Sequence, residues 1–505
     1  MTGEGSTGKT VLWFLGIVVA VFLLRSLYTV EPEMHDARKK WLVATELAEN
    51  NDLSVLVSWD HHSSRWGVIF PAALAIKLNG QNLISYQALV LGLFALVFAT
   101  LMMSIRQDIR MSLLFAFGVF LFYEPMFFRA STQMQPFVFG TFYILMSLLF
   151  LCRYLKTGSM MVLGLSALLA FFAYGAKELY LFYVPGLMLI LLWKSGFRAC
   201  VYYSLWLLGF LLVETLVFNY LNDDLVFGRV EFLASGKHVA KMTGDIAFAS
   251  SSKDLAAYYF SLPLPQRLVE FLFGKWLRMP LFDQVLVVVT SVYMLYLVFK
   301  RKLGELSNFS IGIIFLTISY SIFVSVVPLS IKPLIPLQPL WEKYLTPVVP
   351  FFVYIAFLMI NHIVASLKPG ATRNSVILIN LFFGIVLVFS LAFRAPVSYV
   401  YKGQAYPAKD ALFWKDKDLN RALESGMAVC SRRFWDLELT QVLLQLYMDE
   451  DGISKRTVRR KYDNIPLLHL KKTAFKDITA FIPFGDYESR ISWEQCVEIR
   501  NQPKS

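Results

Sequence analysis

Three carboxylates lie within six residues in the segment Glu31-Pro-Glu-Met-His-Asp36. If a helix begins after Pro32, Glu33 and Asp36 share one of its faces, because residues three apart are neighbours on a helix. A carboxylate that loses part of its hydration at a membrane surface is a suitable general base. Acidic residues are also typical of a helix N-terminus, where they complement the helix dipole. The pattern therefore indicates either a proton acceptor or an ordinary helix start.

A second polar segment, Trp59-Asp-His-His-Ser-Ser-Arg65, follows in the same stretch. His61 and His62 are metal-ligand types, but adjacent side chains diverge on regular structure and no i,i+4 pair accompanies them. We interpret both as hydrogen-bonding groups and leave a divalent metal ion as an alternative with no assigned ligands. Arg65 is a candidate phosphate ligand, since a guanidinium binds phosphate oxygens in pairs. The alternative is a long side chain that extends along the lipid interface.

Further candidates lie at the ends of apolar runs. Lys343 and Tyr344 offer a cation and a hydroxyl to a phosphate, although a proline-rich loop followed by a helix start accounts for them as well. Lys177, Glu178 and Glu214 are functional candidates because charges at membrane depth are costly. Lys177 and Glu178 also suit a plain interfacial position. We add Gln135, which opens another apolar run, and His35 as accessory candidates.

The composition indicates which kind of structural element positions these candidate residues. Of 505 residues, 57% are hydrophobic and 17% charged, whereas a soluble globular chain carries about 25% charged residues. This excludes a soluble enzyme, a disordered chain and a disulfide-stapled secreted domain. The class predicted is an all-α polytopic membrane protein. We predict about eleven spans, at 10–30, 83–105, 111–128, 136–152, 159–175, 178–193, 199–218, 282–299, 309–327, 345–366 and 375–394.

Basic residues are distributed unevenly over the connections between these spans. One alternate set contains Lys9, Arg106, Arg110, Arg153, Lys156, Lys194, Arg198, Lys300, Arg301, Lys302, Lys368 and Arg373. The short connections of the other set contain only Arg129, Lys177, Lys332 and Lys343. The positive-inside rule then places the N-terminus in the cytoplasm. We expect the protein to lie in the plasma (inner) membrane. The net charge of +12 thus reflects orientation and indicates no nucleic-acid partner.

This topology divides the chain into a membrane part, 1–394, and an extracytoplasmic tail, 395–505. Within the first part, 31–82 is an outer loop with amphipathic patches typical of interfacial helices, and 219–281 is a second large outer loop. The tail predicts a small soluble α/β domain, with a helix at Trp435–Met448 and a strand at Ala480–Phe484.

The stretch from Gly3 to Thr10 matches the phosphate-loop pattern G-x-x-x-x-G-K-[ST]. Such a loop works only between a strand and a helix. Because two residues precede Gly3 and an apolar span follows Thr10, we interpret it as a tail whose lysine orients the first span.

Three segments on this topology resemble the GT-C superfamily of polyprenyl-phosphate-sugar-dependent glycosyltransferases, near its protein mannosyltransferase and aminoarabinose-transferase branch. The stretch 33–38, followed by 44–48, is similar to the family's Asp-Glu-Ala-x-Tyr loop, with Asp36 on the second acid. Arg65 through Gly80 resembles the family's amphipathic stretch after a basic residue. The stretch 343–350 resembles its Arg/Lys-Tyr-x-x-Pro-x-x-Pro helix entrance.

The resemblance implies a glycosyltransferase that transfers a sugar from a polyprenyl-phosphate donor to a glycan, lipid or protein acceptor outside the cytoplasm, with inversion. Asp36 or Glu33 would be the base, because His35 replaces the family's usual first Asp. Arg65, Lys343 and Tyr344 would bind the donor phosphate. Gln135 stands where relatives often have an acid. The lipid-linked donor supplies the energy, so no nucleotide cofactor is expected.

Two other functions are compatible with the composition. A transporter or flippase would use charges at the bilayer midplane and paired broken helices, which the sequence does not display. A polysaccharide polymerase or ligase would also act on lipid-linked glycans, without requiring acids directly after the first span.

Overall fold

The structure is a computed structural model that describes residues 4–28, 35–58, 62–81, 83–131, 133–222, 228–229, 261–277, 279–331, 334–336, 344–392, 427–431, 468–469 and 478–483. In order, its α-helices are α1 (Glu4–Ser26), α2 (His35–Asn50), α3 (Val55–Ser58), α4 (Trp66–Asn79), α5 (Leu83–Ile105), α6 (Leu114–Tyr123), α7 (Pro125–Ala130), α8 (Pro136–Thr157), α9 (Met160–Ala176), α10 (Val184–Ser195), α11 (Phe197–Leu221), α12 (Leu264–Leu277), α13 (Leu281–Phe299), α14 (Asn308–Val326), α15 (Val349–Ser366) and α16 (Pro369–Ala392). Short 3₁₀ helices occupy Met111–Leu113, Glu178–Tyr183 and Lys302–Glu305.

Within the described residues, nine helical segments are long and apolar enough to cross a bilayer. They begin or end close to nine of the predicted spans, so the chain is a helical multi-pass membrane protein. The other two predicted spans, 111–128 and 159–175, coincide with the shorter apolar helices Met111–Tyr123 and Met160–Ala176. The count of eleven spans stays a prediction.

The helix at Met111–Tyr123 is short because the chain breaks at Glu124. The extended backbone of Glu124 ends α6, and its carboxylate accepts hydrogen bonds from the amides of Met126 (2.9 Å) and Phe127 (2.6 Å). Pro125 then occupies the first turn of α7, where its missing N–H is harmless. One capping side chain thus converts a predicted continuous span into two helices.

Helix termini elsewhere follow similar local rules. The hydroxyl of Ser307 accepts from the amide of Ser310 (3.2 Å) and caps the start of α14. Gly158 ends α8 in the left-handed conformation, with φ of 66°, and its amide donates to the carbonyl of Tyr154. The segment Gly3–Thr10 lies largely inside α1, which begins at Glu4. A helix there is incompatible with a phosphate loop, in agreement with the sequence interpretation.

The predicted outer loop 31–82 folds against the helical bundle. Helix α2 pairs with α4, and its residues Trp41, Val43 and Ala44 are fully buried. Helix α4 buries one face and exposes Phe70, Leu74 and Leu78, which lie four residues apart in a stripe. Of the described helices in this loop, α4 therefore has an apolar stripe suited to lipid contact, whereas α2 packs inside the protein.

A close approach between helices holds the start of α4 against the end of α9. Gly67 leaves no room for a Cβ atom beside the backbone of Phe172 and Ala176, and Gly175 lies directly under the Trp66 ring. The Tyr143 hydroxyl also donates to the carbonyl of Gly67 (3.0 Å). These contacts fix Arg65 and Trp66 beside the junction that follows α9.

The membrane helices have two distinct ends. At one, which we call the basic end, the Asp108 carboxylate accepts from the amide (2.8 Å) and hydroxyl (2.5 Å) of Ser307, and Asn361 donates to the Asp108 carbonyl (3.1 Å). Two connections of the basic-rich set thus meet beside α15. Helices α14 and α15 run from the basic end to the opposite end, where α14 ends at Val326 and Tyr344 lies just before α15. We call this opposite end the site end. Which end faces the cytoplasm stays a prediction.

Five short strands are present among the described residues. Pro328–Ile331 (β1) and Leu334–Pro336 (β2) form an antiparallel pair. In the tail, Met427–Ser431 (β3), Leu468–His469 (β4) and Ile478–Pro483 (β5) form an antiparallel sheet in the order β3-β5-β4. The predicted strand at Ala480–Phe484 overlaps β5. The predicted helix at Trp435–Met448 lies outside the described residues, so the α/β tail domain stays a prediction.

Candidate functional site

The predicted base lies at the start of the first outer loop. Helix α2 begins at His35, so His35 and Asp36 form its first turn. Glu33 lies outside the described residues, as do His61 and Lys343. A helix follows Pro32 as predicted and is described from His35 onward, and a shared face for Glu33 and Asp36 stays a prediction.

Arg65 is buried at the entrance of α4, where it occupies the N-cap position. Its Nη1 atom lies 3.0 Å from Nδ1 of His62, which is also buried. Because a guanidinium only donates, Nδ1 of His62 accepts and the imidazole carries no proton at that atom. This pairing agrees with a hydrogen-bonding role for His62. It also shows that Arg65 is held within the protein rather than extended along the lipid interface.

Lys177 lies between two aromatic rings at the site end. It follows α9 directly and is buried, and its ammonium lies 4.5 Å from the ring centroids of both Phe137 and Tyr344. The Tyr344 carbonyl accepts from the hydroxyl of Tyr320 (2.6 Å), which ties this residue to α14. The structure thus brings together two predicted residues that belong to different connections.

Gln135 belongs to the same neighbourhood. It is the N-cap residue of α8, two positions before Phe137, and it is buried. No capping hydrogen bond from its side chain is formed to α8, whose first position is occupied by Pro136. The residue thus starts the helix that carries Phe137 to Lys177.

A buried ion-pair network connects the arginine and lysine regions. Arg229 Nη2 lies 2.8 Å from Oε1 of Glu178, and its Nη1 lies 3.4 Å from Oε1 of Glu214. The indole Nε1 of Trp66 donates to the same Glu214 oxygen (2.5 Å). Arg65 directly precedes Trp66 in the chain, and Lys177 directly precedes Glu178, so both cations adjoin this network.

Arg229 is enclosed on all sides by this arrangement. Its side chain has no exposed surface, and Nη1 also donates to the carbonyl of Tyr174 (3.1 Å). The guanidinium lies 4.7 Å from the centroid of the Tyr174 ring. A buried charge with two carboxylate partners, a carbonyl and an aromatic ring is well compensated.

Three cations lie in this region, Arg65, Lys177 and Arg229, together with the carboxylates of Glu178 and Glu214. Within the described part of the chain, no group of three or more His, Cys, Asp or Glu side chains is arranged to hold a metal ion.

The sequence predicts Glu178 and Glu214 as functional charges, because both are acids at or inside apolar spans. It gives no signal that joins them, and it does not single out Arg229 or Trp66. Arg229 lies in a connection with many charges, where no spacing distinguishes it.

Comparison of the chain with models of protein families finds no match, and neither does comparison with curated protein sequences.

Proposed function

We propose that the protein is a membrane glycosyltransferase that moves a sugar from a polyprenyl phosphate to an acceptor hydroxyl. The observation that supports the proposal is the position of two buried cations from separate connections beside the Arg229 ion-pair network. Arg65 directly precedes Trp66, which donates to Glu214, and Lys177 directly precedes Glu178. Tyr344 lies against Lys177. Arg65 and Tyr344, two of the three residues expected to bind the donor phosphate, thus belong to one region.

The reaction needs a proton acceptor and a stabilised leaving group. Asp36 or Glu33 takes the proton of the acceptor hydroxyl, whose oxygen attacks the anomeric carbon. The bond between that carbon and the phosphate oxygen breaks, and polyprenyl phosphate departs with the electron pair. A single displacement inverts the anomeric centre. No general acid is required, since the departing phosphate is already a stable anion.

Cations around the phosphate meet the second requirement, because they stabilise the leaving group. Arg65, Lys343 and Tyr344 bind the phosphate oxygens, and Lys177 adds positive charge beside Tyr344. Interactions of this kind act on a charge that is present both before and after bond cleavage. They therefore support donor binding as well as turnover.

The test uses purified protein in proteoliposomes with a panel of polyprenyl-phosphate sugars. We expect transfer by the unmodified protein, and a combined loss of donor affinity and turnover of roughly 10- to 100-fold in Arg65→Gln, from one charged hydrogen-bonding group. Arg129→Gln is the matched control, because Arg129 is an exposed arginine beside the same end. Transbilayer movement of an intact donor without cleavage would instead establish a flippase.

A further inference from the structure

A cavity of about 560 Å³ opens at the basic end, far along the helices from the site described above. It lies between the segment after α5, the end of α15 and the start of α16. Its lining includes Arg110, Ser112, Leu367, Thr372, Arg373 and Ile377. The volume suits a polar head group of moderate size.

The lining of the cavity is cationic. Arg110 and Arg373 contribute two guanidinium groups, and none of the described residues that line it is acidic. The nearby carboxylate of Asp108 is engaged by the hydroxyls of Ser307 (2.5 Å) and Ser310 (2.6 Å). Two arginines without a lining carboxylate favour an anion whose oxygens accept several hydrogen bonds, such as a phosphate.

The backbone around the cavity is held in place. The amide of Arg110 donates to Oδ1 of Asn361 (3.1 Å), which joins the segment after α5 to α15. The hydroxyl of Thr372 bonds to the carbonyls of Val364 and Leu367, both at 3.1 Å, and joins α16 to α15. Asn380 donates to the carbonyl of Ser112 (2.7 Å). The two arginines therefore project from fixed positions.

An apolar surface continues from the cavity along α16. Ile377 lines the cavity with about half of its surface exposed, and Leu378, Leu381 and Ile385 continue the exposed surface toward the site end. Only 6% of the apolar, membrane-spanning part of α16 is buried inside the protein. A ligand held by the arginines would thus have a hydrocarbon-compatible surface directly beside its polar group.

We infer that this cavity binds the phosphate head group of an anionic phospholipid, with an acyl chain along α16. The two guanidinium groups provide the charge, and the exposed face of α16 explains why the ligand is a lipid rather than a free anion. The inference is independent of the glycosyl transfer proposed above. It agrees with the predicted cytoplasmic position of Arg110 and Arg373, since anionic lipids concentrate in that leaflet.

The experiment measures lipid binding to the full chain in neutral detergent by native mass spectrometry and by the thermal unfolding midpoint. The probes are dioleoylphosphatidylglycerol, dioleoylphosphatidylcholine and inorganic phosphate. We expect phosphatidylglycerol alone to bind and to raise the midpoint. Arg110→Gln combined with Arg373→Gln should weaken that binding roughly 30-fold, and each single change roughly 5-fold.

Matched variants separate the cavity from general surface charge. Arg153→Gln combined with Lys156→Gln removes two exposed basic residues near the end of α8 that do not line the cavity, and should leave binding unchanged. Arg110→Lys combined with Arg373→Lys keeps the charge and should retain most of the affinity. If this variant binds phosphatidylglycerol as weakly as the double glutamine variant, our assignment of the binding to the positive charge of the two arginines is wrong.

Three results would overturn the inference. Equal loss of binding in the Arg153/Lys156 variant would show that positive charge anywhere at this end is sufficient. An equal midpoint shift with inorganic phosphate would identify a free-anion site. Unchanged phosphatidylglycerol binding in the double glutamine variant would place the lipid elsewhere.

Discussion

The ammonium of Lys177 lies 4.5 Å from the centroid of the Tyr344 ring, although the two residues are far apart in the sequence. Lys177 comes before α10, whereas Tyr344 comes after α14. An ammonium over an aromatic face is stabilised by the ring quadrupole. The pair joins a cation at the end of α9 to the entrance of α15.

This contact uses the ring of Tyr344, so the role of its hydroxyl can be tested separately from the role of the ring. Tyr344→Phe keeps the ring under Lys177 and removes only the hydroxyl that we assign to the donor phosphate. We expect roughly 10-fold lower transfer with an unchanged unfolding midpoint, as for the loss of one hydrogen bond to a charged group. The measurement is steady-state transfer together with thermal unfolding. Full transfer in this variant would remove Tyr344 from the phosphate site.

The buried network predicts a large effect at Arg229. Arg229→Met leaves the carboxylates of Glu178 and Glu214 without their shared cation, which we expect to destabilise the protein by about 3–5 kcal/mol. Adding Glu178→Gln removes one uncompensated charge and should recover part of the loss. Unfolding of the single and double variants in detergent measures both effects. Equal stability of Arg229→Met and the unmodified protein would contradict the network.

At the basic end, Asp108 is predicted to hold the connection after α5 against the start of α14. Asp108→Ala removes the acceptor of three hydrogen bonds from Ser307 and Ser310, and we expect about 2–4 kcal/mol of destabilisation. Asp52→Ala is the control, because Asp52 accepts from Ser54 in a local, exposed turn. The unfolding midpoint should fall clearly for Asp108→Ala only. A similar decrease in both variants would assign no special role to Asp108.

Lys275 predicts a pH dependence of stability. It lies in α12, which is not among the nine candidate spans, and its Nζ atom donates to the carbonyl of Val324 (2.6 Å). Burial lowers the pKa of Lys275 from 10.5 to about 8. Between these values the unfolded chain binds more protons than the folded chain, so stability rises with pH.

The measurement compares the unfolding midpoints of the unmodified protein and Lys275→Met between pH 7 and pH 9.5. The unmodified protein should gain stability relative to the variant as the pH rises above 8. Other titrating groups cancel because both proteins contain them. A constant difference over this range would show that Lys275 does not lose its proton in the folded state.

Most membrane helices were predictable because each is a local apolar run of bilayer length. The break at Glu124 was not, since it depends on one carboxylate capping α7 across Pro125. Hydropathy averages over a window and does not detect such a cap.

The site was predictable only in part. Arg65 and Tyr344 follow from local residue types next to apolar runs, whereas the Arg229–Glu178 pair depends on how α9, α11 and a distant connection pack together. Likewise, α2 is buried by packing against α4, and α4 is itself held by the tight contact of Gly67 with α9. Amphipathic patterning reveals neither contact. Sequence patterns carry the least information about contacts between segments that are distant in the chain.

The most direct test of the proposed chemistry is the transfer rate of Asp36→Asn beside that of Glu33→Gln, with the same donor and with folding checked by thermal unfolding. Each amide keeps the size of its side chain but cannot accept a proton. We predict that one variant, Asp36→Asn first, loses about 10²-fold or more in turnover while its donor binding persists. Full activity in both variants would contradict a carboxylate base and the glycosyltransferase mechanism with it.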